Sequence, residues 1–293
     1  MKFTHRRVKL RFMPFKTLID ADSLRGLLGK LPLAIVDCRF NLMNPAEGLA
    51  AYLKGHIPGA RYADLNRDLS APVTAHSGRH PLPAPQTFAA RLGELGVGDD
   101  TQVVAYDEAN ASMAARLWWM LRWVGHDAVA VLDGGFKAWV TAGGAVESGE
   151  AAARSAHFTP RVDPRAVLST ADLERALQAG TDLLVDARAP ERFAGSVESI
   201  DPVAGHVPGA VNHPFTANLG ADGHFLPAAE LERRWRERLA GKNPQAVIAM
   251  CGSGVTACHH LLSLEAAGIP GGRLYAGSWS EWIRDPRRPV ARG

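Results

Sequence analysis

Residues 246–257 read AVIAMCGSGVTA. Ala246 to Met250 is a short apolar run of the kind that forms a buried strand. Gly252-Ser253-Gly254-Val255-Thr256 then breaks the run, and a helical pattern opens at Ala257 and continues through Leu264. The spacing predicts a strand, a tight loop and a helix, with Cys251 at the junction. A thiol there meets backbone N–H groups that lack partners and the positive end of a helix, which lower its pKa and cradle its thiolate. Gly252 and Gly254 suit such a loop, because inward-turned amides need backbone angles that a side chain obstructs. Cys251 therefore reads as a nucleophile, and not as the small buried hydrophobe that a cysteine after an apolar strand often is.

Two other cysteine chemistries are excluded by the same stretch. Phosphatases of the Cys-x5-Arg type need a guanidinium at the end of the loop, where this chain has Ala257. Zinc would need a second cysteine at ligand spacing, and His259 and His260 fall in the following helix.

Working outward, the rest of the chain repeats the same scheme twice. In the first half, strands at Leu33–Asp37, Thr101–Tyr106 and Ala128–Leu132 alternate with helices at Ser23–Leu28, Gln86–Leu95, Met113–Val124 and Phe136–Ala142. Asn41–Leu53 reads as an irregular excursion and Leu69–Pro85 as a long polar loop. In the second half, helices at Ala171–Ala179 and Ala228–Leu239 alternate with strands at Leu183–Asp186 and Ala246–Met250. Asp37 and Asp186, His56 and His206, and Asp107 and Cys251 stand at nearly constant separation, which a tandem duplication explains. The predicted fold is α/β, two tandem domains each with a parallel sheet covered by helices on both faces. Residues 1–145 form the first domain, 146–164 a linker, and 165–293 the domain with the nucleophile. Because Asp107 occupies the cysteine position of the first half, only the second can carry chemistry on sulfur. Features present in both halves, Asp37/Arg39 with Asp186/Arg188 and His56 with His206, are expected to build the fold.

The 293 residues suit two domains, and 33 basic against 30 acidic side chains are too balanced for nucleic acid. No 18-residue apolar run exists to cross a membrane, and no apolar segment follows the basic run Lys2–Arg11 as a secretory signal would require. The three cysteines are few, as in a reducing compartment, so a cytoplasmic location is expected. Cys38 and Cys258 read as packing residues.

Several segments together carry a family resemblance: DCR at 37–39, GHIPGA at 55–60, LDGGFKAW at 132–139, DAR at 186–188, GHVPGAVN at 205–212 and YAGSWSEW at 275–282. With CGSGVTA at 251–257, the chain resembles, over nearly its whole length, the two-domain sulfurtransferases of the rhodanese and 3-mercaptopyruvate sulfurtransferase superfamily. The resemblance implies a persulfide on Cys251, held by the amides of Gly252, Gly254, Val255 and Thr256. It implies a small anionic sulfur donor and, as acceptor, a thiol, a thioredoxin-like protein or cyanide. No cofactor or metal is implied, because the sulfur is the cargo.

Thiosulfate enzymes of this superfamily commonly carry CRKGVTA, so the uncharged Gly252-Ser253 is more similar to the mercaptopyruvate branch. A thiosulfate:cyanide sulfurtransferase is the alternative enzyme, and a persulfide-carrying or sensing module the alternative of another class. Arg192, in ERFAG, matches an arginine that binds the carboxylate of mercaptopyruvate. The second arginine of the branch, in an EPR segment, is missing; the chain reads Glu198-Ser199-Ile200-Asp201-Pro202, which leaves Arg188 or another cation to take over. The resemblance also implies a triad-like relay of Ser253 with His80, in RHPLP, for which His76 is a competitor, and Asp64, in YADLN. It sets the site in the cleft between the halves.

Overall fold

The computed structural model describes residues 13–152 and 155–293, so the basic run Lys2–Arg11 lies outside the described residues. The first half runs β1 (Leu18–Ile19), α1 (Ala21–Leu27), β2 (Leu33–Asp37), α2 (Ala46–Lys54) and β3 (Arg61–Tyr62). It continues through α3 (Pro85–Glu94), β4 (Gln102–Tyr106), α4 (Ala114–Trp123), β5 (Val129–Leu132) and α5 (Gly135–Thr141). The second half runs β6 (Val167–Leu168), α6 (Thr170–Ala179), β7 (Leu183–Asp186), α7 (Pro190–Ala194) and β8 (Val211–Asn212). It ends with α8 (Ala228–Leu239), β9 (Val247–Met250), α9 (Ala257–Ala266), β10 (Arg273–Tyr275) and α10 (Ser278–Trp282).

The strand orders are β1-β5-β4-β2-β3 and β6-β10-β9-β7-β8, with every pairing parallel. One order is the other with its strands renumbered, so the repeat seen in the sequence is a repeat of topology. The central strands are largely apolar because both faces are covered: all five residues of β4, with Gln102 at its start, and all four of β9 are buried. By contrast, α8 buries Leu231, Trp235 and Leu239, one stripe at helical spacing, and turns its charges outward.

Between the halves, α4 packs on α9, and a single apolar cluster runs from Trp118 and Leu121 on α4 to Leu261 and Leu264 on α9. That explains why α4 is apolar nearly all round, and why Trp119 and Trp123, stacked at 6.0 Å, are buried.

The duplicated polar pairs are structural clamps. Arg39 grips Asp37 through Nε and Nη2 and donates from Nη2 to the Gly55 carbonyl at 2.6 Å. Arg188 grips Asp186 in the same way and donates to the Gly205 carbonyl at 2.8 Å. His56 and His206 hold carbonyls at their Nδ1 atoms, those of Tyr52 and Phe193, and each stacks on that same ring.

One reading of the sequence needs correction. Part of the stretch taken as irregular, Ala46–Lys54, is the helix α2; it buries only Gly48 and Tyr52, too few positions to print a period. The edge strands β1, β3, β6 and β8 have two residues each and likewise carry no alternation to read.

Candidate active site

Cys251 follows directly on β9, whose last residue pairs with Asp186 of β7. The chain leaves the sheet there and is fastened from the α10 side. The Cys251 N–H donates to Ser278 Oγ at 3.1 Å, while the carbonyls of Cys251 and Gly252 accept from the N–H groups of Trp279 and Ser280. Held this way, the loop turns its amides toward the sulfur, and the Gly254 N–H donates to Cys251 Sγ at 3.1 Å. Among the described residues, the N–H groups of Gly252, Ser253, Val255 and Thr256 have no protein acceptor. The result is an anion cradle with donors to spare, over a sulfur that is only 2% exposed.

The first half shows what that cradle is built to hold. At the equivalent turn the Asp107 carboxylate accepts from the N–H groups of Ala111 at 3.0 Å, Met113 at 2.8 Å and Ala114 at 3.1 Å. One half fills its cradle with its own side chain and the other leaves it open.

Gly254 makes the open loop possible. Its φ is +77°, and a Cβ there would lie 2.3 Å from the Ala276 carbonyl oxygen. Gly254→Ala therefore combines a left-handed alanine with a clash against backbone, and a loss of about 2–4 kcal/mol in stability is expected. Urea unfolding of the variant beside the parent checks it; an unchanged midpoint would mean that the loop has another conformation open to it.

Two guanidinium groups stand over the loop entrance. A Cβ on Gly252 would lie 2.9 Å from Nη2 of Arg79 and 3.5 Å from Nη1 of Arg192. Arg192, on α7, holds Glu198 through Nε and Nη2 and Asp201 Oδ2 through Nη2 at 2.9 Å. Arg79, from the first half, pairs its Nη1 with Oδ1 of the same Asp201 and donates its N–H to Ser280 Oγ at 3.0 Å. Asp201 thus bridges the halves. Burial raises its carboxyl pKa above the ordinary value, against the pull of Arg79 and Arg192.

Sequence reasoning missed Arg79. Its one signal was position, next to His80 in a long polar loop. Arg188, by contrast, does not reach the loop: it is committed to Asp186 and Gly205, lies under Trp279, and only its Nη1 faces Glu198, at 3.7 Å. The second cation at the loop entrance, Arg79, comes from the other half of the chain.

Ser253 and His80 are brought together across the interface, Oγ to Nδ1 at 2.7 Å. Asp64 is not joined to them. Its carboxylate accepts from the N–H groups of Asn66 and Arg67 and from the Tyr62 hydroxyl, and makes no hydrogen bond to His80. Burial, with the positive charges of Arg116 and Arg79, holds the His80 imidazole down to about 3. Without a carboxylate to stabilise an imidazolium, this pair is a neutral hydrogen-bond donor–acceptor couple and not a charged triad.

The remaining sulfurs are quiet. Burial pushes the Cys38 thiol well above its ordinary value and Cys258 up to about 12, and all three cysteines are unpaired. A cleft of about 790 Å³ lies between α4 and the opposite, N-terminal ends of β9 and β10, away from Cys251. No described helix is long and apolar enough to cross a membrane.

Comparison with known proteins gives this geometry its context. The family of rhodanese-like domains matches residues 20–142 and again 169–285. A protein of Pseudomonas aeruginosa named as a probable 3-mercaptopyruvate sulfurtransferase is 50% identical over 278 residues, covering 94% of this chain and 98% of that one. The putative thiosulfate sulfurtransferase SseB of Mycobacterium tuberculosis is 40% identical over 281 residues, covering 95% and 98%. Among solved structures, the 3-mercaptopyruvate sulfotransferase SseA of Escherichia coli superposes with a TM-score of 0.79 at 34% identity, over 91% of this chain and all of that one.

Proposed function

Because the chain belongs to the rhodanese-like family and is a sulfurtransferase by its relatives, we propose that it moves sulfane sulfur from 3-mercaptopyruvate through a persulfide on Cys251. The observation that carries this reading is the Gly254 N–H on Cys251 Sγ, inside a loop whose other amides are free for an anion. The residues from 165 onward act as the catalytic domain, joined by the linker 146–164 to a first domain, 1–145, that contributes Arg79 and His80.

In the first half-reaction the Cys251 thiolate attacks the donor sulfur. The new S–S bond takes its electrons from Cys251, and the donor's C–S bond breaks with its pair leaving on carbon as the enolate of pyruvate, which then takes a proton. The Ser253 hydroxyl, oriented by neutral His80, donates to the oxygen on which that charge develops. The loop amides hold the persulfide until a thiol, a thioredoxin-like protein or cyanide removes the outer sulfur and returns the thiolate. Arg192 and Arg79 take the donor carboxylate, which competes with Asp201 for their N–H groups. Three unpaired cysteines agree with work in a reducing compartment such as the cytoplasm.

A second reading has its own observation. Two guanidiniums over an amide cradle also suit thiosulfate, whose departure leaves sulfite, and the Mycobacterium tuberculosis relative is named for that donor. Steady-state kcat/KM for both donors, with Arg192→Gln and Arg79→Gln beside the parent, separates them. For 3-mercaptopyruvate each variant is expected to lose about 10- to 100-fold, mostly in KM. A parent that prefers thiosulfate, with variants indifferent to 3-mercaptopyruvate, would overturn the first reading.

A further inference from the structure

Arg116 is an anomaly of the fold. It lies on α4 of the first half with 0% exposure, and among the described residues no carboxylate comes within ion-pair distance of it. A buried guanidinium without a counter-ion is costly, and proteins keep one only where something compensates it. Its hydrogen bonds go to three carbonyls: Nη1 to Gly254 at 3.1 Å, and Nη2 to His80 at 3.0 Å and Leu69 at 3.4 Å. Its Nε has no partner. Two of those carbonyls belong to the candidate site. Gly254 is the residue whose N–H points at Cys251 Sγ, and His80 is the residue bonded to Ser253.

We infer that Arg116 is a positioning residue whose fixed positive charge is balanced by Cys251 when its sulfur is anionic, as thiolate or as persulfide. One buried side chain of the first half would then set the thiol's acidity and lock Gly254 and His80 in register across the interface. The charged groups around that sulfur leave the role to it. Cys258, from α9, sits with its Sγ 3.3 Å from the same Gly254 carbonyl and stays protonated. His80, from the loop before α3, is neutral. Arg79 and Arg192, at the loop entrance, are offset by Asp201 and Glu198. Arg116 alone among these cations has no acid: burial lowers its pKa, the sulfurs of Cys258 and then of Cys251 act against that, and with Cys258 protonated the balancing charge falls to Cys251.

The inference rests on Cys251 being the sulfur-carrying thiol, and its test reads acidity instead of donor turnover. The rate of iodoacetamide alkylation at Cys251, followed by peptide mass against pH in the full chain, gives the thiol midpoint. In Arg116→Gln the midpoint is expected to rise by at least one pH unit, a tenfold fall in thiolate at a given pH. In Arg116→Lys, which keeps the charge, it should stay within a few tenths of a unit while kcat falls because the carbonyl grip is looser. An unchanged midpoint in Arg116→Gln would show that the guanidinium only props the loop. Should that variant fail to fold, a one-unit rise in folded Arg116→Lys would overturn the assignment equally. Full activity in Cys251→Ser, in contrast, would remove the persulfide reading itself.

Discussion

Cys251→Ser is expected to lower kcat/KM for every sulfur donor on the order of 10⁴-fold or more. The substitution exchanges one atom in a residue that is 2% exposed, and its anchoring contacts, Ser278 Oγ on the N–H and Trp279 on the carbonyl, come from backbone. The fold should therefore survive. What is lost is the sulfur that forms a stable bond to a second sulfur, so the cradle would surround a hydroxyl that cannot be loaded. Mass spectrometry after incubation with donor alone makes the comparison without an acceptor. The parent should gain the mass of one sulfur atom at the peptide containing Cys251, and the variant should gain nothing. Retained turnover, or a sulfur atom found on Cys38 or Cys258, would sink the mechanism.

The second large effect is on stability and comes from histidines. His259 and His260 on α9 are both fully buried, and the side-chain amide of Asn218 ties their Nδ1 atoms together at 3.3 and 3.0 Å, with His213 alongside. Burial holds His259 down to about 3 and His260 well below its ordinary value, and His80 is held to about 3. A histidine depressed in the fold takes a proton in the unfolded chain first, so its contribution is complete above about pH 6.5 and is lost as pH falls from there. Between pH 7.5 and 5.5 each of the three removes on the order of 1 kcal/mol, and together a few kcal/mol, a large part of a typical domain's stability. His126 and His213 are shifted the same way and add to it. Asp107, Asp133 and Asp201, whose pKa values burial raises, act with the opposite sign but take effect nearer pH 4. Urea midpoints at pH 7.5, 6.5 and 5.5 test this. A midpoint independent of pH over that span would mean that the buried imidazoles are charged in the fold.

The sequence carried the fold where physics repeats itself along the chain. Apolar strands buried on both faces, the strand–cysteine–glycine turn and the duplicated Asp-x-Arg and His-x-Pro-Gly segments were all legible because each is local. What failed was non-local or too short. A two-residue edge strand has no period, and a helix such as α2 with two buried positions barely has one. The site was legible through Cys251, Ser253 and Arg192, which lie near one another in the second half. His80, which crosses 173 residues to Ser253, was reached only through the family resemblance, and Arg79 and Arg116, which also come to the loop from the other half, escaped. Nothing local to a polar loop or an apolar helix announces such a crossing. Asp64 shows the converse: a plausible partner by resemblance, it serves its own turn, where the Asn66 and Arg67 N–H groups lie two and three residues away.

The carboxylate of Asp107 is a ligand tethered to its own receptor. A covalently attached anion has an effective concentration that no dilution or competitor removes, so the first half is always saturated. The second half must alternate between an empty, a loaded and a discharged loop in every catalytic cycle. The framework that presents Arg79, His80 and Arg116 is thereby insulated from the cycle it serves. Added sulfate or sulfite should raise the melting temperature only through the Cys251 loop, because the other loop has never been without its anion.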